Sequence, residues 1–521
     1  MITRRSATGL LGLGLAGIAT SRARAAPASP VVATRHGPVI GTRDGPTQVF
    51  RGIRYGADTA PRRFQPPRRP EPWTTPVEAL AYGPACPQNS PEPDQSEDCL
   101  FLNVWTPGVD DAARPVMVYV HGGAYATGSG SDPLYDGTRL SRRGDVVVVT
   151  LNHRLNLFGH AFLKRLDGTF AASGNAGLLD LILALEWVRD NIAAFGGDPG
   201  RVMVFGQSGG GAKIASLMAT PAAAGLFHAV ATMSGQQVTA SGPNNATTRT
   251  RAWLAELGLA GDRVAELATT DPARLLQAAR ITDPVLGYGS LYFGPVVDDL
   301  TLTRHPFYPD APAQSAAIPM IIGNTREETL AFLGPRVAPV DLTWNDLPGR
   351  MTPDVLRVDV DPETVIAAYR AMHPDWSPYQ VLIRATTAGR SWRAAVIEAE
   401  ARATAGHPTW VYQLDLAGTL EDGRTGAFHT ADIPLVFGTL DTPGSRMMGP
   451  DARSVSDRMS DAFIALARTG SPGAVAGQVW PRFDLADRPT MIFDRQTRVE
   501  ADPRGDERRF FARYPYVQPG T

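Results

Sequence analysis

Between Pro115 and Gly235 the chain alternates short apolar runs with longer helical stretches, and this alternation confines the fold more than any other feature. Val116–Val120, Asp145–Asn152, Arg201–Phe205 and Ala229–Ser234 read as strands. A long helix over Leu178–Ala194 and a second after Ser208 fall between them. The strand runs are continuously apolar, as in strands covered on both faces. Leu179, Ile182, Leu183, Leu185 and Trp187 make the first helix apolar on most sides, as packing against a sheet requires. The prediction is an α/β fold, with a mostly parallel central sheet and helices on both faces. Residues 244–282 and 337–407 are helical in pattern and interrupt the strand series. Ser454–Thr469 reads as an amphipathic helix, with Met459, Ala462, Phe463 and Leu466 on one face.

A serine stands at one strand–helix junction. Phe205-Gly206-Gln207-Ser208-Gly209-Gly210 follows the strand-like Arg201–Val204 and precedes the helix-like Gly211–Met218. A serine hydroxyl is a weak nucleophile unless held exposed beside a base and an anion-stabilising pocket, and a strand–turn–helix holds it so. With 52 glycines in the chain, a Gly-x-Ser-x-Gly match arises by chance about a quarter of a time in a sequence this long. Three further features give the match meaning. His121-Gly122-Gly123 follows the strand Val116–Val120, where a glycine pair exposes backbone N–H groups, the requirement of an oxyanion hole. Arg326-Glu327-Glu328 follows the strand-like Ile318–Thr325, and either glutamate could orient a histidine. Of nine histidines, three lie beyond that acid. His373 and His407 each precede a proline and read as loop residues. His429 lies on the loop after the strand-like Thr409–Leu416, from where it can swing back over the serine. Serine, acid and histidine in that order is the α/β-hydrolase order. In that fold class the two helical insertions are expected to cap the site.

With these motifs the chain resembles the type-B carboxylesterases, the family that includes cholinesterases and bacterial para-nitrobenzyl esterases. The resemblance runs from about Val31 to Phe483. It includes Glu97-Asp98-Cys99-Leu100-Phe101-Leu102-Asn103-Val104-Trp105, Asn152-His153-Arg154-Leu155 and Gly174-Asn175-Ala176-Gly177-Leu178-Leu179-Asp180. Phe195-Gly196-Gly197-Asp198-Pro199, Gly294-Pro295-Val296-Val297-Asp298 and Trp480-Pro481 fit as well. It implies a serine carboxylesterase that hydrolyses small-molecule esters through an acyl-enzyme, without a cofactor. The family pattern selects Glu328 as the acid, although Thr329 stands where glycine is usual. The implied triad is Ser208, Glu328 and His429, with the N–H groups of Gly122, Gly123 and Gly209 as oxyanion donors. Tyr125, Gln207, Tyr292 and Phe293 are the expected substrate-binding residues. Two departures bear on substrate preference and pH dependence: Gln207 stands where the family usually has glutamate, and Gly209 where it has alanine. The family also pairs cysteines at places matching Cys86 and Cys99, which implies a disulfide between them.

Composition agrees with an ordinary globular chain: 43% of residues are hydrophobic and 20% charged. With 50 basic and 52 acidic residues the formal net charge is −2, so no field favours nucleic acid. No metal-ligand cluster or dinucleotide fingerprint is legible. At the N-terminus, Thr3-Arg4-Arg5, the apolar Gly9–Ala19 and Ala23-Arg24-Ala25 read as a signal peptide over residues 1–25. Its apolar stretch is too short to span a bilayer, so an exported protein, periplasmic or secreted, is expected without stable membrane insertion. By twin-arginine or Sec transport, residues 26–521 then remain as one catalytic domain. The sequence sets no oligomeric state. Lys213, five residues after Ser208, reads either as a lysine snorkelling to solvent or as a buried lysine paired with a carboxylate.

Overall fold

The computed structural model describes residues 29–259, 261–518 and 520. Residues 1–25, the expected signal peptide, lie outside them.

The centre is an eleven-stranded sheet. Its strands in chain order are β1 (Thr42–Asp44), β2 (Thr47–Arg54), β3 (Phe101–Thr106), β4 (Arg114–Val120), β5 (Val147–Leu151) and β6 (Gly197–Gln207), then β7 (Ala229–Met233), β8 (Met320–Thr325), β9 (Thr409–Leu414), β10 (Pro489–Phe493) and β11 (Arg498–Ala501). In space the order is β11-β10-β9-β8-β7-β6-β4-β5-β3-β2-β1. Strands β4 to β10 pair in parallel, and the two edges are antiparallel.

The apolar runs follow from this layering. On β4, Val116, Val118 and Val120 join one core and Met117 and Tyr119 the other, because alternate side chains point to opposite faces. Helices α1 (Ala176–Asn191) and α2 (Gly209–Met218) supply Leu181, Leu185, Ile214 and Leu217 to the first core. Helix α3 (Gly449–Thr469) supplies Val455, Met459 and Phe463 to the second. With its flanking turns α1 is long and apolar enough to cross a membrane, yet most of it is buried inside the protein. The expected helices therefore form, with α1 ending three residues early in a 3₁₀ turn, Ile192–Phe195, closed by the left-handed Gly196. Strand β6 runs longer than its apolar core suggests, because Gly197 pairs with Arg114 across a register shift. The helical insertions fold as Pro243–Glu256 and Pro272–Ala278, and as Pro362–Met372, Pro378–Thr387 and Arg393–Thr404.

The two cysteines correct an expectation. Cys86 and Cys99 are free, buried thiols. The Cys86 sulfur accepts the Leu155 N–H at 3.3 Å. A hydrogen bond with Cys86, together with burial, pushes the Cys99 thiol well above its ordinary range. A thiol so placed is protonated and unreactive.

Candidate active site

Parallel sheets gather loops at the carboxyl ends of their strands, and ligands bind there. Here β4 delivers His121-Gly122-Gly123, β6 delivers Ser208, and β8 leads into Glu328. Ser208 has φ 55° and ψ −125°, a strained conformation for a residue with a side chain. Its own N–H, bonded to the Met233 carbonyl at 2.8 Å, helps fix it there. The turn is tight against β4: a Cβ on Gly206 or Gly210 would lie 2.6 or 2.0 Å from the Val120 carbonyl oxygen. Glycine is therefore required on both sides of the serine. Helix α2 starts at the next residue and directs its first free N–H groups toward the serine end of the turn.

The two glutamates face different partners. Glu328 is fully buried, and His429 Nδ1 lies 2.5 Å from its Oε2. Its Oε1 accepts the Thr325 N–H at 2.8 Å and the Asn324 amide at 3.3 Å. Burial pushes this carboxyl up, but the His429 imidazole and the hydrogen bonds outweigh it, and the carboxyl is held below its ordinary range. Glu327 turns away, to Arg384 at 3.2 Å and the Ala427 N–H at 2.7 Å. His373 stacks on Trp376, with ring centres 3.7 Å apart, and neither it nor His407 lines the cavity described next.

Ser208 and His429 share the wall of a cavity of about 660 Å³. Their side chains are not hydrogen-bonded to each other; the Gln207 amide nitrogen lies 3.1 Å from His429 Nε2 instead. Gly122, Gly123 and Gly209 line the same cavity. The Gly122 turn abuts the serine so closely that a Cβ there would be 3.3 Å from Ser208 Cβ.

Over residues 28–511 the sequence matches the family model described as the Carboxylesterase family. The chain belongs to the carboxylesterase family. It is 36% identical over 496 residues to the para-nitrobenzyl esterase of Bacillus subtilis (strain 168), covering 92% of this chain and 98% of that one. It is 33% identical to the phenmedipham hydrolase of Pseudarthrobacter oxydans, covering 89% and 94%. A carboxylesterase structure from Geobacillus stearothermophilus superposes with a TM-score of 0.82 at 35% identity, over 92% of this chain and 99% of that one. The protein is thus a carboxylic-ester hydrolase with the α/β-hydrolase fold.

The rest of the esterase's site departs from the sequence reading in places. Tyr125, Gln207 and Tyr292 line the cavity, but Phe293 does not. Phe293 packs edge-on against the buried Trp253 at 5.8 Å instead. Lys213 fits neither expectation. It is buried, and its Nζ donates to the His121 carbonyl at 3.1 Å, just before the Gly122-Gly123 turn. Burial lowers the ammonium to about 7. The neighbouring His121 and His153 stack at 4.9 Å, and burial holds both well below the ordinary histidine range, so both are neutral.

Three cavity features carry no motif. Phe332 lies against His429 with ring centres 4.6 Å apart. Arg357 and Arg390 reach the cavity from the insertion over residues 337–407. A fourth group, the buried Asp432, lies just behind and accepts the Tyr412 hydroxyl at 2.7 Å; burial raises it to about 6. The signal for Asp432 was its place three residues after His429, on the short helix Asp432–Phe437.

Proposed function

We propose that the esterase works through an acyl-enzyme, with Ser208 as nucleophile, His429 as general base and Glu328 as the group that orients His429. The observation that carries this reading is the buried contact at 2.5 Å between His429 Nδ1 and Glu328. It fixes the imidazole tautomer, with the proton on Nδ1 and the lone pair on Nε2 facing the cavity. Nε2 takes the Ser208 proton as Oγ attacks the ester carbonyl. The carbonyl oxygen becomes an oxyanion, which we assign to the N–H groups of Gly122, Gly123 and Gly209; one such donor contributes about 3 kcal/mol of barrier lowering. The tetrahedral centre collapses, the C–O bond to the alcohol breaks, and the imidazolium gives its proton to the leaving alkoxide. Water then repeats the sequence on the acyl-serine and releases the acid. In the resting state the Gln207 amide shares the Nε2 lone pair, so the serine proton displaces a weak partner.

The test is Ser208→Ala, together with a phosphonofluoridate probe that forms a stable adduct with an activated serine. We expect ester turnover to fall by at least about a thousandfold and the probe's mass to appear on the peptide holding residue 208 of the unaltered enzyme only. Retention of a tenth of the rate would sink the assignment. We read residues 26–521 as one catalytic unit, since the groups above all come from one sheet. The pattern of residues 3–25 supports export, and an N-terminus at Ala26 on protein recovered outside the cytoplasm is the matching check.

A further inference from the structure

Arg357 and Arg390 are the only charged side chains among the described residues that line the cavity, apart from any charge His429 takes up. No aspartate or glutamate faces them there. The cavity therefore carries two positive charges inside a protein whose formal net charge is −2. Among the described residues neither arginine has an ion-pair partner. Arg357 gives its Nε–H to the Asp354 backbone carbonyl at 3.2 Å, and the Asp354 carboxylate is taken by the Thr352 hydroxyl at 2.6 Å. Glu328 is occupied by His429 and the β8 backbone. Half-buried guanidinium groups without a carboxylate are unusual, because a desolvated cation gains most from a bidentate anionic partner.

The backbone holds both residues in uncommon conformations. Arg390 lies in a π-helical turn, Ala388–Trp392, and such turns recur at functional positions. Arg357 is left-handed, with φ 57°. The two segments pack together: a Cβ on Gly389 would lie 2.5 Å from the Leu356 carbonyl oxygen. Arg390 rests on Phe332, its guanidinium carbon 4.5 Å from the ring centre, and the other neighbour of that ring is His429 at 4.6 Å. Laid end to end, these spacings put the guanidinium no more than about 9 Å from the imidazole, a span that a few bonds of about 1.5 Å cover. Burial and Arg357 lower Arg390 to about 10, so it stays charged at neutral pH.

We propose that the cavity selects esters that carry a second, ionised carboxylate, held by Arg390 and Arg357 while the ester carbonyl meets Ser208. The substrates are half-esters of dicarboxylic acids, with roughly two to four carbons between the ester carbonyl and the free acid. This inference rests on the triad reading above and adds the substrate class.

The test compares monoethyl glutarate with ethyl 4-carbamoylbutanoate, the same ester with a neutral amide in place of the acid. The quantity read is the ratio of kcat/KM, acid over amide. For the unaltered enzyme we expect a ratio of at least ten. In R390Q and R357Q it should fall toward one, whatever happens to either rate alone, and R390K should keep part of it. A ratio at or below one in the unaltered enzyme overturns the proposal, and that measurement does not depend on any variant folding. A ratio that stays high in both glutamine variants overturns it too. If the amide is hydrolysed as fast as the acid, or neither ester is hydrolysed, the substrate class falls; the triad reading falls only by the Ser208→Ala and probe test above.

Discussion

Gln207 places its amide nitrogen 3.1 Å from His429 Nε2, at the position where relatives usually carry a glutamate. A carboxylate there would favour the imidazolium form, whereas the base must be neutral to accept the serine proton. Gln207→Glu should therefore move the acidic limb of the kcat/KM profile to higher pH, by about one unit. Profiles of both proteins on one neutral ester decide it, and a limb that stays or moves down would separate residue 207 from the base. The substitution was legible in the sequence, and so was its bearing on pH dependence. Phe293 shows the opposite outcome. An aromatic beside Tyr292 was expected on the cavity wall, but its ring is taken up by packing against the buried Trp253. Residue chemistry alone left Glu327 and Glu328 open, and only the family pattern implied Glu328. The choice depends on which carboxylate a residue a hundred positions later can reach, and His429 reaches Glu328.

Helix α2 is buried along its whole length, packed among β4, β6, β7 and α1. Its composition announced this, since Gly209–Met218 holds a single charged residue. The fate of Lys213 followed from the same fact, because a helix with no exposed face offers no route for snorkelling. Burial holds this lysine at about 7, against about 10.4 in an unfolded chain. Between those values the unfolded chain binds a proton that the folded one lacks, so stability rises with pH through that window. Below about 7 the folded protein bears the full cost of a buried ammonium. Lys213→Met should therefore stabilise the fold at pH 7, by about 1–4 kcal/mol, with the gain fading toward pH 10. Thermal melts at the two pH values measure it. A variant less stable at pH 7 would mean that the bond to the His121 carbonyl outweighs the desolvation.

At the scale of the whole molecule, the layered sheet was legible because strands covered on both faces must be apolar throughout, and helices between parallel strands must cross over them. The insertions were legible as helices but not as the source of two cavity arginines. Nothing local marks a surface arginine from one that a folded-back segment carries to the end of a distant strand. That placement makes the cavity repel cations: at about 6 Å a like charge costs about 3 kcal/mol at an effective dielectric near 20. Butyrylcholine should accordingly be turned over at least about tenfold less efficiently than ethyl butyrate, and comparable kcat/KM values would contradict the charge argument. The approach of the two loops over Ser208 has a consequence of another kind. A Cβ on Gly209 would lie 2.0 Å from the Ala124 carbonyl oxygen, so the alanine usual in relatives cannot be installed until the turn after β4 has withdrawn. The two positions are thereby coupled: a side chain at 209 and the present path of the backbone at Ala124 exclude each other.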